Sequence, residues 1–273
     1  MRYKREKTQP IGIFDSGVGG VSVLRALASL LPYEDYLYFG DRKNVPYGTK
    51  KPEEVRELVA SVVDFLLAKK VKIIVVACNT ATAYAIDYLR ARYPFMDFVG
   101  MEPAVKPAAL STQTGKIGVL ATSLTLKGSH FTRTKSKYAK GVEVLEQEGT
   151  GLVQIVESNR IGTQASINLL RHYLQPMIDE GIDKLVLGCT HYPFLINDIK
   201  TVIGSHKVDI LDPAGAVARR TRELLEASSL LKEKAGEKGT VKIFSNHSDF
   251  EIFHYLCKLS GKQLDYSTEY IDV

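Results

Sequence analysis

Ile74-Val75-Val76-Ala77-Cys78-Asn79-Thr80 and Leu185-Val186-Leu187-Gly188-Cys189-Thr190-His191 follow one plan. Each is an apolar run that ends on a small residue, then a cysteine, then polar residues. Runs that are apolar at successive positions read as strands covered on both faces, as in a parallel sheet. An earlier pair matches at nearly the same offset: Ile11-Gly12-Ile13-Phe14-Asp15-Ser16 against Ile117-Gly118-Val119-Leu120-Ala121-Thr122. Two matches at similar offsets argue for two related lobes. In each lobe the cysteine leaves the C-terminal end of a strand, which is the edge where open α/β sheets bind ligands.

Outward from these stretches the chain alternates between strand and helix patterns. Strands are expected at 10–15, 35–39 and 72–77, with helices at 21–31, 52–70 and 80–92 between and after them. Pro52 opens its helix in the first turn, where a missing N–H costs nothing. The rhythm restarts with strands at 116–121, 142–147 and 184–188. Helices are expected over 152–158 and 163–180, and another from Pro193. A strand at 208–211, a helix at 214–231, a strand at 241–245 and a helix at 250–259 complete the pattern. Such alternation predicts an α/β fold with parallel sheets. Pro103, Pro107 and a turn over Ser111–Gly115 mark a crossover. The expected division is a first lobe of 1–104 plus 213–273, carrying Cys78, and a second lobe of 105–212, carrying Cys189. The run Lys232–Gly239 reads as a solvated loop.

The 273 residues are 45% apolar and 25% charged, values ordinary for a globular protein. No apolar run approaches the roughly 20 residues a membrane span needs. The basic N-terminal stretch has no apolar segment behind it, so no secretory signal is expected and the cytoplasm is the expected compartment. The net charge of +5 is concentrated toward the N-terminus, and no helix carries a basic stripe interleaved with aromatics. No nucleic-acid or membrane partner is therefore expected. Three cysteines are an odd number and too few for a disulfide scaffold.

A cysteine at a strand end is by default a small core residue. Asn79 and Thr80 after Cys78, however, suit a helix N-terminus, where oriented N–H groups favour a thiolate. Thr190, His191 and Pro193 place Cys189 in a similar context. Two thiols in equivalent positions suit reversible proton exchange at one carbon: one removes a proton, the other delivers one, and the reverse reaction exchanges their roles. A carbanion-like state would then rely on donors aimed in advance and on exclusion of water. No lysine stands in a recognisable pyridoxal-phosphate context. The glycines of Asp15-Ser16-Gly17-Val18-Gly19-Gly20 lack both the GxGxxG order and a Walker lysine, so a nucleotide site is not supported. Asp15 reads either as a helix cap or as a group orienting an ammonium or tuning Cys78. Tyr47 and Gly48 read as turn residues or as backbone donors to a carboxylate, and Asp41 as loop cap or support. His191 is close enough to Cys189 to tune it. Cys257 falls on the apolar face of a helix with Ile252, Phe253 and Leu256 and reads as core.

The motifs Ile-Gly-Ile-Phe-Asp-Ser-Gly-Val-Gly-Gly (11–20), Tyr-Phe-Gly-Asp (38–41), Val-Pro-Tyr-Gly (45–48), Val-Ala-Cys-Asn-Thr-Ala (76–81) and Leu-Gly-Cys-Thr-His-Tyr-Pro (187–193) together resemble the glutamate racemase family of the aspartate/glutamate racemase superfamily. The resemblance implies two flavodoxin-like lobes related by pseudo-twofold symmetry, with the active site between them. It implies cofactor-independent and metal-independent interconversion of L- and D-glutamate, D-glutamate supply for peptidoglycan, and a homodimer. Under it, Cys78 and Cys189 are the proton donor and acceptor, with Asp15, Glu157 and His191 in support. Asp15, Ser16, Tyr47, Gly48, Asn79, Thr80, Thr190 and His191 are its substrate contacts. Glu157 rests on the resemblance alone. An aspartate racemase is separated from this reading by pocket size. A dithiol redox protein is disfavoured because redox pairs often sit close in sequence, as in C-x-x-C. A non-catalytic binder of small acids would show affinity without turnover.

Overall fold

The computed structural model describes residues 3–233, 237–258 and 265–272, and the chain divides into two compact units, 1–101 with 214–273, and 102–213. The first unit opens with strands β1 (Ile11–Asp15), β2 (Tyr36–Gly40), β3 (Ile73–Val76) and β4 (Phe98–Gly100). The second unit contributes β5 (Lys116–Ala121), β6 (Glu143–Glu148), β7 (Lys184–Gly188) and β8 (Asp209–Leu211). The chain then returns to the first sheet with β9 (Val241–Ser245) and β10 (Tyr266–Tyr270).

Every ladder is parallel, in the order β10-β9-β2-β1-β3-β4 in one sheet and β6-β5-β7-β8 in the other. Parallel strands need crossovers, and helices fill them. The sequence dictates the burial: β1, β3 and β7 are buried along their whole length. β6 departs from that pattern. Its Glu-Val-Leu-Glu-Gln-Glu sequence keeps glutamates exposed on the sheet's edge, where charge discourages further pairing. In the second unit Ile117, Val119 and Ala121 alternate onto one face of β5 and pack with Val105, Ala108, Phe131 and Val186. In the first unit helix Val21–Leu30 packs on Ala214–Ala227, and Pro52–Ala68 on Asn79–Arg92.

The first four strands of one unit and the four strands of the other share one order: second, first, third, fourth. From the first strand the chain moves outward to one side and then returns to the other. The first and third strands of each set are therefore neighbours whose connections leave in opposite directions, which is the topological switch point where such sheets bind ligands. β1 pairs with β3 through Phe14 and Val76, and β5 pairs with β7 through Ala121 and Gly188. Cys78 and Cys189 each emerge beside such a point.

Several elements differ from expectation. β4 was not anticipated because three residues after a proline carry no periodic signal. β10 was not anticipated because Tyr-Ser-Thr-Glu-Tyr is a half-exposed edge strand without an apolar run. The Pro103–Ser111 crossover contains a helix, Val105–Ser111, that accepts Pro107 in its first turn. Pro193 is the second residue of a 3₁₀ turn, Tyr192–Leu195, and the α-helix begins only at Ile196. Residues 234–236 of the expected loop and Leu259 of the expected last helix lie outside the described residues. Among the described residues no helix is long and apolar enough to cross a membrane.

Gly188 is the last residue of β7, and its place beside β5 admits no side chain. A Cβ there would lie 2.6 Å from Ala121 Cβ and 3.2 Å from Leu120 O. Overpacking of this kind costs about 1–3 kcal/mol. Gly188→Ala should lower the urea midpoint accordingly and displace the adjoining Cys189. An unchanged midpoint would show that β7 tolerates the shift.

Candidate active site

In the first unit Cys78 adopts an extended backbone conformation, φ −127° and ψ 122°, and caps helix Asn79–Arg92. Its Sγ accepts the Ala81 N–H at 3.4 Å, in place of the usual capping oxygen. The cap aims the thiol at the helix N-terminus, where the positive end of the macrodipole favours negative charge. Cys78 Sγ also lies 3.7 Å from Ser16 Oγ. Both residues are buried.

Asp15, at the end of β1, is fully buried, and its Oδ1 accepts the Gly17 N–H at 2.9 Å. The carboxylate therefore turns the glycine loop. The N-cap position of helix Val21–Leu30 is Gly20, without a side-chain bond. Tyr38 secures the same loop by donating its hydroxyl to Gly17 O at 2.8 Å. Asn79 and Thr80 are buried in the first turn after Cys78. Asn79 Nδ2 reaches Met101 O at 3.5 Å, and its Oδ1 is buried without a hydrogen-bond partner among the described residues. A buried acceptor left unmatched costs about 1–3 kcal/mol, so the position is suited to a ligand's N–H.

Tyr47 begins a 3₁₀ turn, Tyr47–Thr49, after a cis Val45–Pro46 peptide. Its side chain is buried, and its hydroxyl donates to Asp41 Oδ2. Burial, and then the Asp41 carboxylate, holds the phenol well above the usual tyrosine pKa, which keeps it a donor. Gly48 is half-buried in the same turn.

In the second unit Cys189 follows β7, but its setting is not a copy of the first. It sits in a bend before the 3₁₀ turn and caps no α-helix. Its charged neighbour is His191, with Nδ1 3.8 Å from Sγ. On the other side of the ring, Nε2 lies 2.8 Å from Glu157 Oε1. Burial opposes the imidazolium, yet hydrogen bonds and charge from Cys189 and Glu157 outweigh it and hold the His191 pKa well above the usual value. As an imidazolium, His191 donates Nδ1–H to the sulfur and Nε2–H to the carboxylate. Thr190 is buried between them in sequence.

Glu157 closes the short helix Leu152–Glu157, which starts at Gly151 with φ +86°. That left-handed conformation favours glycine and turns the chain from β6 into the helix. Tyr192 braces the turn by donating its hydroxyl to Gly149 O at 3.2 Å. The Gly149-Thr150-Gly151 punctuation after the strand marks the turn that leads into this helix. Sequence reasoning left Asp41 open and missed Tyr38, Tyr192 and Asn246. Cys257 is buried in helix Glu251–Lys258, and burial, partly offset by Arg25, pushes its pKa up to about 11. That thiol is core packing.

A family model described as Asp/Glu/Hydantoin racemase matches residues 11–221. The chain is 46% identical over 231 residues to a glutamate racemase of Herpetosiphon aurantiacus, covering 85% of this chain and 90% of the relative. A crystal structure of a glutamate racemase isoform from Bacillus anthracis superposes with a TM-score of 0.84 at 30% identity, covering 98% of this chain and 100% of that one. The Escherichia coli glutamate racemase, solved with L-glutamate and the activator UDP-MurNAc-Ala, superposes with a TM-score of 0.82 at 30% identity, covering 96% of this chain and 98% of that one.

The His191–Glu157 pair has a consequence for pH. Because the folded His191 pKa is raised, its stabilising contribution is complete below the unfolded value of ~6.5 and is lost as pH rises through the folded value. Glu157→Gln should lower the His191 midpoint seen by NMR. The stability gap between wild type and Glu157→Gln should be widest near pH 6 and narrow toward alkaline pH. An unshifted midpoint would remove Glu157 as the group that charges His191.

Proposed function

The chain belongs to the Asp/Glu/hydantoin racemase family, and we propose that it interconverts L- and D-glutamate without a cofactor, using Cys78 and Cys189 on opposite faces of the α-carbon. The observation that carries this reading is the pair of buried strand-end thiols, each with its own electropositive partner, in a chain 46% identical to a glutamate racemase. Substrates of the relatives' printed names favour glutamate over aspartate.

The α-proton is weakly acidic, so its removal requires the developing negative charge to be stabilised by groups already in place. With L-glutamate bound, Cys189 acts as the thiolate and takes the α-proton, while His191 holds the charge of the sulfur. The Cys78 thiol delivers its proton to the opposite face. The products are D-glutamate, a Cys189 thiol and a Cys78 thiolate. The thiolate is held by the Ala81 N–H and the helix N-terminus. D-glutamate runs the same steps in reverse with Cys78 as base. No bond other than C–H and S–H changes, and no electron leaves the pair.

Asp15 and Asn79 Oδ1 accept from the substrate ammonium in this scheme. The substrate carboxylates take donors from the hydroxyls of Ser16, Thr80 and Thr190 and from the backbone of Tyr47, Gly48 and His191, since the first N–H groups of a helical turn have no partner within it. The burial of these groups excludes water and strengthens each interaction. We assign the enzyme to the cytoplasmic supply of D-glutamate for peptidoglycan, acting as a homodimer.

Cys78→Ala and Cys189→Ala should each abolish net racemisation in both directions, because every crossing needs a base on one face and an acid on the other. In heavy water the surviving thiol should exchange the α-proton with one enantiomer preferentially: L-glutamate for Cys78→Ala and D-glutamate for Cys189→Ala. A folded alanine variant that racemises at near wild-type rate would refute the two-thiol mechanism. Polarimetry with L-glutamate and protein dialysed against a chelator should show full activity, with no pyridoxal absorbance. Activity that returns only with added metal or pyridoxal phosphate would overturn the cofactor-free assignment.

A further inference from the structure

Asn246 lies just past the C-terminal end of β9 and is buried. Its Nδ2 donates to Asp41 Oδ1 at 2.6 Å, across a separation of 205 residues. Its Oδ1 accepts the Lys43 N–H at 3.1 Å. Asp41 is a collecting point for the loop after β2. Its carboxylate also accepts Asn44 Nδ2 at 2.8 Å and the Tyr47 hydroxyl, and its N–H donates to Asp15 O at 3.0 Å. A carboxylate offers about four lone-pair directions, so three donors hold its orientation closely. Two of the three come from the loop itself, and Asn246 comes from the returning C-terminal segment.

The position of Asn246 is fixed by the sheet. β2 and β9 pair with Gly40 opposite Ser245, and Ser245 Oγ donates to Gly40 O at 2.9 Å. The next residue therefore arrives beside Asp41. Between β2 and helix Pro52–Ala68 the chain has only two short 3₁₀ turns, Arg42–Asn44 and Tyr47–Thr49. With so little regular backbone bonding, the shape of that loop depends on side-chain bonds such as these.

We infer that Asn246 is a positioning residue for substrate binding: through Asp41 and Lys43 it fixes the Tyr47–Thr49 turn that receives a glutamate carboxylate. The inference rests on the reading above that Tyr47 and Gly48 contact the substrate. Without Asn246, Asp41 loses a donor and the Lys43 N–H loses its acceptor, so the loop is loosened at two points. A carboxylate contact is made alike in the ground state and the transition state. Its loss therefore raises KM and leaves kcat nearly unchanged.

The test is steady-state racemisation of L- and D-glutamate by the full chain, comparing wild type with Asn246→Ala and Asn246→Asp. The alanine variant removes both bonds. The aspartate variant keeps the shape and the acceptor for Lys43 but sets a second carboxylate against Asp41. Asn246→Ala should raise KM about tenfold, the scale of one hydrogen bond to a charged group, with Asn246→Asp raising it further and kcat held within about threefold. Wild-type KM in either folded variant, or a fall in kcat at unchanged KM, would overturn the inference. Loss of fold in both variants by circular dichroism would also overturn it, by assigning Asn246 to structure alone. A wild-type chain inactive on glutamate would instead fail the functional reading beneath it.

Discussion

The parallel pairing of β1 with β3, and of β5 with β7, is the constraint on which the rest depends. Parallel strands deliver all their C-terminal ends to one edge of a sheet. The residues that follow Phe14, Phe39, Val76 and Phe244 are thus gathered at one edge of the first sheet, although they are far apart in sequence. The same rule gathers the residues after Leu120, Gln147 and Leu187 in the second. Asp15, Asp41, Cys78 and Asn246 meet by this rule in one unit, and Glu157, Cys189 and His191 in the other.

The two units share strand order but not thiol chemistry. Cys78 is met by a helix N-terminus, the Ala81 N–H and the Ser16 hydroxyl. Cys189 is served by side chains: His191, charged through Glu157. Backbone dipoles do not titrate, whereas an imidazolium does. A reaction that uses both thiols therefore carries an intrinsic asymmetry with pH, even though it is chemically reversible. Both units also bury polar groups beside their thiols. Asp15, Asp41 and Asn79 are buried in the first, and His191 in the second. Most are matched by donors or acceptors. Asn79 Oδ1 has no partner among the described residues, and a buried acceptor left so costs stability.

The sequence by itself determined the alternation of strands and helices, the buried character of β1, β3 and β7, and the two cysteines at strand ends. These are local signals: apolar runs, helix-start residues and turn punctuation act within a few residues of where they are read. The family was legible for the same reason, because its motifs are strand ends with the polar residues that follow them. Cys257 was legible as core from its helical spacing with Ile252 and Phe253.

Only the tertiary structure decided the rest. β4 and β10 form because neighbouring strands supply their hydrogen bonds, and neither carries enough apolar pattern to announce itself. That the Asp15 carboxylate holds the Gly17 N–H is a contact the sequence did not specify. His191 was legible beside Cys189, but only the structure shows that the chain after Cys189 is a 3₁₀ turn, where Cys78 instead caps an α-helix. Glu157 reaches His191 across 34 residues, and Asn246 reaches Asp41 across 205. Contacts of that length leave no periodicity in the chain, because they are fixed by strand order and register, which arise only when the whole sheet has assembled.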